Sequence, residues 1–232
     1  MVYALNIRFP SLYSVAARPL DGDFIKVRPV DETWDEGGPF NPPWMGGLQV
    51  RTDFLPTRMR WDARYAIPDF DMGGCHIAVS ERAKGLFERF EPGVHQFAPV
   101  DYVGSKSKLL QHRYLLYVCN RIDCLDRDQT TMVLQTIHVR PELVKAGRQL
   151  SRMWTPVYNL VVMGRGDLIP AHLPHDTQST CVFNRAQIGA HHMWCDKLGL
   201  SGIWLSDELA SAIRDAGLTG VDLSEVSKQK TV

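Results

Sequence analysis

Histidines and cysteines form the densest group of potential metal ligands in the chain. Four histidines and two cysteines share one stretch: His172, His175, Cys181, His191, His192 and Cys195. Zinc requires imidazole nitrogens and thiolates that converge as a tetrahedron. The spacing matches no standard zinc motif, and the first histidine pair lies in a proline-flanked loop. Ordinary surface and core positions are therefore favoured, and we predict no metal and no cofactor.

A second candidate is the short acidic segment that contains Asp123, Asp126 and Asp128. Neighbouring carboxylates can perform acid–base chemistry or bind a divalent cation when their environments differ. The segment lacks the glycine and the terminal glutamate of an EF-hand loop, and aspartates in turns commonly cap backbone N–H groups. A structural turn is the favoured interpretation. An enzyme that uses these carboxylates or the His/Cys group, as a hydrolase or a modification-reversing factor, stays open as an alternative.

Signatures of nucleophilic catalysis are weak. Cys124 and His138 could form a thiolate–imidazole pair, but nothing in their spacing requires it. The chain contains no GxSxG, P-loop, HExxH or GxGxxG motif. The standard catalytic signatures are therefore absent, and we assign no catalytic residue from them.

An acidic, aromatic loop is suited to binding instead. Its candidate contact residues are Asp31, Glu32, Trp34, Asp35, Glu36 and Trp44, among glycines and prolines. Carboxylates steer the encounter with a basic partner, and an aromatic side chain can fill a pocket on it. A solvated loop with its tryptophans packed in the core is the alternative.

Apolar patterning predicts the elements that would hold these groups. Strands are expected at residues 2–9, 24–30, 48–54, 114–119, 132–139 and 157–163, with a helix from 141 to about 154. Irregular segments fill residues 31–47, 55–74 and 164–180. Strands and helices do not alternate regularly, so we predict an α+β fold with mixed, mostly antiparallel sheets and a few short packing helices.

Two segments share one pattern of strand, helix, turn and strand, at residues 75–100 and 201–226. Laid together without a gap, Ser80 matches Ser206, and each serine is placed to cap a helix. Apolar residues then follow at helical spacing in both copies. Both copies are therefore interpreted as scaffold. A weak break near residues 101–108 suggests an N-terminal subdomain of residues 1–104, with long loops over 31–74, and a C-terminal subdomain of residues 105–232, unless the two form one continuous domain.

Composition and charge argue against several classes of function. The 26 basic and 26 acidic residues balance, so direct nucleic-acid binding and membrane association are not expected. The first residues lack the features of a signal peptide, and the five cysteines form no CxxC pair. Reduced thiols in a cytoplasmic protein are the simplest expectation.

The C-terminal copy carries a resemblance to a known family. Its Ser206-Asp-Glu-Leu209 segment, amphipathic helix and Ala216-Gly-Leu-Thr-Gly-Val221 turn resemble the tail of the bacterial immunity protein eleven family, first catalogued as domain of unknown function 1629. The segments Tyr114–Asp126 and Ile77–Glu81 are similar to two further family segments. Where the family has an apolar strand, this chain has His192-Met-Trp-Cys-Asp196, which favours a strand over residues 191–198.

The resemblance implies a non-enzymatic inhibitor, the immunity partner of a polymorphic toxin delivered between competing bacteria, often by type VI secretion. Nucleases such as DNases are prominent among such toxins, and a 1:1 cytoplasmic complex is expected. Inhibition would occlude or distort the toxin active site across an interface of roughly 1,600 Å² or more. Partner choice is expected in the irregular loops. A structural or regulatory domain without a toxin is the second alternative.

Overall fold

Thirteen strands and four helices make up the computed structural model, which describes residues 1–8, 17–31, 46–73, 76–138, 150–200 and 202–226. The strands are β1 (Val2–Ile7), β2 (Ala17–Pro19), β3 (Arg58–Trp61), β4 (Phe70–Gly73), β5 (His76–Val79), β6 (Gln96–Val103), β7 (Leu109–Tyr117), β8 (Arg121–Ile122), β9 (Val133–His138), β10 (Leu150–Thr155), β11 (Met193–Asp196), β12 (Ile203–Ser206) and β13 (Val221–Glu225). The helices are α1 (Glu81–Phe90), α2 (Val157–Val162), α3 (Arg185–Ile188) and α4 (Asp207–Asp215), with 3₁₀ turns at Phe24–Lys26, Ser105–Ser107 and Gly166–Leu168.

The strands form a closed barrel, an open sheet and a separate hairpin. The barrel has the order β2-β3-β6-β7-β5-β4, and the open sheet has the order β13-β1-β12-β11-β8. Strands β9 and β10 pair as an antiparallel hairpin. Most pairings are antiparallel, whereas β2–β4, β3–β6 and β8–β11 are parallel. The predicted α+β class is confirmed.

Both predicted strand–helix–strand copies are present, and each encloses a third strand. Strands β5 and β6 flank β7 and run antiparallel to it, as β12 and β13 flank β1. The strand registers of the two units also correspond when the copies are aligned without a gap, as they are for Ser80 and Ser206. One row in each unit shows this: Val79–Tyr114–Pro99 corresponds to Leu205–Tyr3–Glu225.

A fourth strand extends each unit on the same side. Strand β4 pairs with β5, with Phe70 opposite Val79, and β11 pairs with β12, with Met193 opposite Leu205. The first unit is therefore β6-β7-β5-β4 with α1, and the second is β13-β1-β12-β11 with α4. Their connectivity differs in one respect. The enclosed strand follows the copy in the first unit and precedes it in the second.

Both helices begin at the predicted serine caps. The Ser80 Oγ accepts from the Ala83 N–H, and the Ser206 Oγ accepts from the Leu209 N–H, each at 3.2 Å. Acidic residues occupy both first turns, where the helix dipole favours negative charge. Gly217 follows α4 with φ of +59°, the left-handed conformation that glycine adopts most readily.

One hydrophobic core joins the two units. Corresponding positions in both units lie buried in it, in the pairs Phe70 and Met193, Ile77 and Ile203, Val79 and Leu205, Ala83 and Leu209, Phe87 and Ile213, and Leu116 and Leu5. Apolar burial is the main favourable term in folding, so this shared core holds both sheets and both helices together. A second core fills the barrel, and a third lies on the other face of the open sheet.

Reciprocal hydrogen bonds connect the units at their edges. In the first unit, the Asp69 and Phe70 N–H groups donate to the Thr219 side-chain and backbone oxygens, at 3.0 and 2.9 Å. In the second, the corresponding His192 and Met193 N–H groups donate to the Glu91 carboxylate, at 3.1 and 3.0 Å. The residues after each helix therefore bind the outer strand of the other unit.

Two predicted strands near the N-terminus are wrong. Residues 24–30 begin with a 3₁₀ turn, because the Asp23 carboxylate accepts from the Ile25 N–H and caps it. Residues 48–54 form no regular strand: a bend and a turn occupy 52–54, and Val50 makes only an isolated bridge with Pro29. Local capping by aspartate competes with strand pairing in such segments.

The segment 55–74, expected to be irregular, contains strands β3 and β4. Two predictions in the middle of the chain also differ. Residues 157–162 form α2 instead of a strand, with Val157 and Leu160 buried on one helical face. Of the helix expected over 141–154, residues 150–154 form part of β10 instead, and residues 141–149 lie outside the described residues. The predicted strands at 2–9, 114–119, 132–139 and 191–198 are confirmed as β1, β7, β9 and β11.

The expected subdomain boundary at residue 104 lies in the turn between β6 and β7, two paired strands of the barrel. Within the described ranges, no helix is both long and apolar enough to cross a membrane.

Candidate functional site

The acidic loop is only partly described. Asp31 is exposed at the end of a described range, whereas the contact candidates after it lie outside the described residues. Those candidates are Glu32, Trp34, Asp35, Glu36 and Trp44. Their role in binding stays a prediction.

Two of the three alternative catalytic carboxylates have structural partners, whereas Asp128 is exposed in the same turn. Asp126 caps a turn, since its Oδ1 accepts from the N–H groups of Asp128 and Gln129 at 3.0 Å each. The Asp123 carboxylate pairs with Arg127 one turn further along the chain. The segment is the turn that its composition favours.

The histidines and cysteines do not converge. In the described part of the chain, no group of three or more His, Cys, Asp or Glu side chains could hold a metal ion. His172 and His175 are exposed on a loop, whereas the Cys195 thiol is fully buried. Burial raises the pKa of the Cys195 thiol to about 12 and that of Cys181 to about 11. Both thiols are protonated at neutral pH and poorly suited to bind metal or attack a substrate.

Cys124 also has a structural environment. Its Sγ lies 3.4 Å from the Oδ1 of Asp196, and burial raises the pKa of the thiol well above its usual value. Asp196 accepts from the N–H groups of Leu198 and Leu200 at 2.7 and 3.1 Å, so it organises the turn after β11. The His138 side chain, the other half of the predicted pair, is outside what the structure describes.

An ion pair lies inside the barrel. Arg113 is fully buried, and its Nη2 lies 2.7 Å from Asp71 Oδ2. The Tyr102 hydroxyl donates to the other carboxylate oxygen at 2.7 Å, and Arg113 also donates to the carbonyls of Pro68, Asp69 and Ala78. Burial raises the pKa of Asp71 to about 6 against the opposing effect of the guanidinium. The cluster is enclosed by strands and holds the barrel interior together.

His76 is a second polar group in the barrel. Its ring stacks on Phe24 with 3.9 Å between centroids, and its Nδ1 lies 2.8 Å from the Tyr117 hydroxyl. Burial lowers the pKa of His76 to about 3, so the ring is neutral. A neutral, stacked and buried imidazole packs as a core aromatic group.

Glu91 lies at the junction of the two units. Besides the two N–H groups of β11, its carboxylate accepts from His95 Nε2 and Asn120 Nδ2, each at 2.8 Å. The Cys119 N–H donates to His95 Nδ1, which places the imidazole proton on Nε2. Burial opposes ionisation of Glu91, but these hydrogen bonds prevail and lower its pKa. These hydrogen bonds join the end of α1 to β11 and to the segment after β7, so Glu91 links the two units.

Two surface features suit a protein partner. The short helix α2 and the residue that follows it expose four large apolar side chains: Tyr158, Val161, Val162 and Met163. Exposure reaches 70% for Tyr158 and 66% for Val162, and clustered apolar side chains on a surface commonly mark an interaction site. Separately, a cleft of about 410 Å³ lies at the start of α4, with Phe183 and Trp194 in its lining and Asp207 and Glu208 among its charged residues.

These features were missed in the sequence for different reasons. The α2 segment has large apolar residues at nearly every position, so its periodicity does not separate a strand from a helix with an exposed apolar face. The cleft collects residues from both ends of the chain, and no local pattern brings Met1 next to Glu208.

Comparison with known proteins shows the family of this chain. The model of the immunity protein family (Imm11) matches residues 20–160, which is more than half of the 232 residues. A search of curated proteins gave no match. The matched region contains the whole first unit, the hairpin β9–β10 and the first part of α2. The chain belongs to the Imm11 immunity protein family.

Proposed function

We propose that this protein protects its producer by binding a cognate secreted antibacterial toxin, a nuclease that acts in the cytoplasm, in a 1:1 complex. Membership of the immunity protein family carries the proposal, because that family implies toxin immunity through a non-catalytic inhibitor. Delivery of the toxin by a type VI secretion system in competition between bacteria is part of the same proposal.

The chemistry of the described residues supports inhibition by binding. Among the described residues, Asp126 is used in a turn, Asp71 in an interior ion pair, Glu91 at the junction between the units and Cys124 in a buried contact with Asp196. Catalytic groups must instead reach a substrate with a suitable pKa. The apolar surface of α2 is what a protein partner would cover.

Charge supports a nuclease as the partner. A nuclease binds phosphate groups through basic residues, so its active-site surface is positive. The loop from Asp31 to Glu36 carries four carboxylates, which would steer such a surface into place. Trp34 and Trp44 would then supply the buried aromatic anchors that dominate binding energy in tight complexes. Occupation or distortion of the active site would block cleavage.

Co-expression with the toxin domain encoded beside this gene tests the proposal. The wild type should restore growth, co-purify with the toxin at one-to-one stoichiometry, and abolish cleavage of DNA or RNA by the purified toxin. Continued killing despite soluble expression of both proteins would refute the proposed function. A toxin without nuclease activity would refute the nuclease assignment.

Substitutions in the acidic loop test its role separately. We expect Trp34→Ala and Glu36→Ala to weaken the complex by about tenfold or more each, as is typical of anchors in an interface. Asp128→Ala removes the same charge from an exposed turn and should leave affinity unchanged. Full protection by both loop variants would exclude this loop as a toxin-binding surface and would leave the proposed inhibitor function unaffected.

A further inference from the structure

The outer edges of the two units differ. In the first unit, strand β3 pairs with β6 at residues 101–103. Closer to the start of β6, the Gln96 amide binds Val50 through both its oxygen and its nitrogen, at 2.8 and 2.9 Å. In the second unit, β13 occupies the position of β6. Among the described residues it pairs with β1 alone.

The alternation of hydrogen bonds along β13 shows which of its backbone groups face away from β1. The Val226 N–H donates to the Val2 carbonyl, and the Arg8 N–H donates to the Gly220 carbonyl. In an antiparallel pair such bonds recur at alternate residues, so Asp222 and Ser224 also bond to β1. The backbone groups of the other three residues, Val221, Leu223 and Glu225, therefore point away from β1 along the open edge.

Side chains along this edge select a type of partner. Val221 and Leu223 lie against the shared core but stay partly exposed, and a neighbouring strand would cover them. Glu225 gives the edge a negative charge, whereas the Asp222 carboxylate pairs with Arg8. Strand β3 is the internal example of a matching segment, since it alternates the exposed Arg58 with the buried Met59 and places Arg58 opposite Asp101.

We propose that an extended segment of the cognate toxin, with alternating apolar and basic residues, pairs in parallel with β13 and extends the open sheet. The proposal rests on the proposed function and adds how the toxin is held. Main-chain hydrogen bonds would supply affinity, and the alternating side chains would supply specificity. The parallel direction follows from β3, which runs parallel to β6 at the corresponding edge. An unpaired edge is a ready template for such an addition.

A pair of substitutions at Glu225 separates backbone pairing from side-chain contact. Glu225→Pro removes an outward N–H and leaves the bonds to β1, whereas Glu225→Ala removes the side chain and keeps the N–H. We expect Glu225→Pro to raise the Kd for the purified toxin about tenfold or more, and Glu225→Ala to change it less than about threefold. Ser224→Pro, which removes an N–H that faces β1, should lower the melting temperature, whereas Glu225→Pro should not.

The outcomes distinguish this proposal from the function beneath it. If the wild type protects and Glu225→Pro binds the toxin with wild-type affinity, toxin binding at the β13 edge is excluded, and the proposed immunity function is retained. An equal loss of affinity in Glu225→Pro and Glu225→Ala would show that the charge of the side chain, and not strand pairing, contributes to toxin binding. A dimer of the free protein in light scattering, abolished by Glu225→Pro, would assign the edge to a second copy. Failure of the wild type to bind any toxin would overturn both proposals.

Discussion

The first unit closes into a barrel, whereas the second, built from four equivalent strands and an equivalent helix, remains an open sheet. Their inner faces are alike, since both contribute apolar residues at corresponding positions to one core. Their other faces differ. At matching positions, the barrel buries the ion pair of Asp71 and Arg113, and the open sheet buries Trp194 and Val2 among apolar residues.

The difference indicates what the fold requires. The shared core forms only if both units have the same arrangement of strands and helix. The reciprocal hydrogen bonds from the ends of α1 and α4 require the same arrangement. The opposite face of each sheet is free to pack against whatever the chain supplies there. Closure of one unit uses β2 and β3, whereas in the part of the chain that the structure describes the second unit has only the short parallel strand β8 in the place of β2. The open edge of β13 is the consequence.

Removal of one member of the barrel ion pair should give the largest loss of stability. We expect Asp71→Ala to lower the free energy of unfolding by about 3–5 kcal/mol, because Arg113 would stay buried without its counter-ion. Adding Arg113→Met should recover much of that loss, since an apolar replacement of a buried pair is often nearly neutral. Urea denaturation of the three proteins measures both effects. A single-variant loss below about 1 kcal/mol would show that the barrel does not depend on the pair.

The contact between Asp69 and the second unit should respond to pH. Burial opposes ionisation of Asp69, but hydrogen bonds from Arg82, Thr219 and Ser80 outweigh it and lower its pKa to about 2. A carboxyl group whose pKa is lowered on folding stabilises the fold at pH values above its pKa in the unfolded chain. That contribution is lost as the pH falls from about 4 towards 2. The difference in urea midpoint between wild type and Asp69→Asn should therefore be constant near neutrality and shrink below about pH 4. A difference that persists unchanged to pH 2 would exclude the charged contact.

The two helix caps should give the smallest and most similar effects. Ser80→Ala and Ser206→Ala should each lower the free energy of unfolding by about 1 kcal/mol, because each hydroxyl accepts from one N–H of the first turn. Each serine also has one further partner, Asp69 at 2.7 Å and His192 at 2.8 Å. Serine-to-threonine variants keep the cap and serve as controls. Effects that differ by more than about 1 kcal/mol would show that the two units are not energetically equivalent.

Local physical rules made the two units predictable. A serine cap, acidic residues in the first turn, apolar residues at helical spacing and a terminal glycine all act within ten or so residues. They identify α1 and α4 directly, together with the strands beside them. Where a local side chain competes with pairing, as Asp23 does, apolar composition alone predicted a strand that does not form.

Long-range pairing could not be read from the sequence. The insertion of β1 between β12 and β13 joins residues at opposite ends of the chain, and no local signal specifies it. The acidic loop could be nominated from its composition because charge and aromatic content are local properties. The open edge of β13 could not, because an edge is defined by which strands pair and which do not.

Amide hydrogen exchange across β13 tests most directly whether the open sheet receives the toxin. In the free protein, the outward N–H groups of Val221, Leu223 and Glu225 should exchange quickly, and those of Asp222 and Ser224 slowly. Addition of the toxin should slow the outward set strongly and leave the inward set nearly unchanged. Outward amides that exchange at the same rate with and without bound toxin would contradict the account.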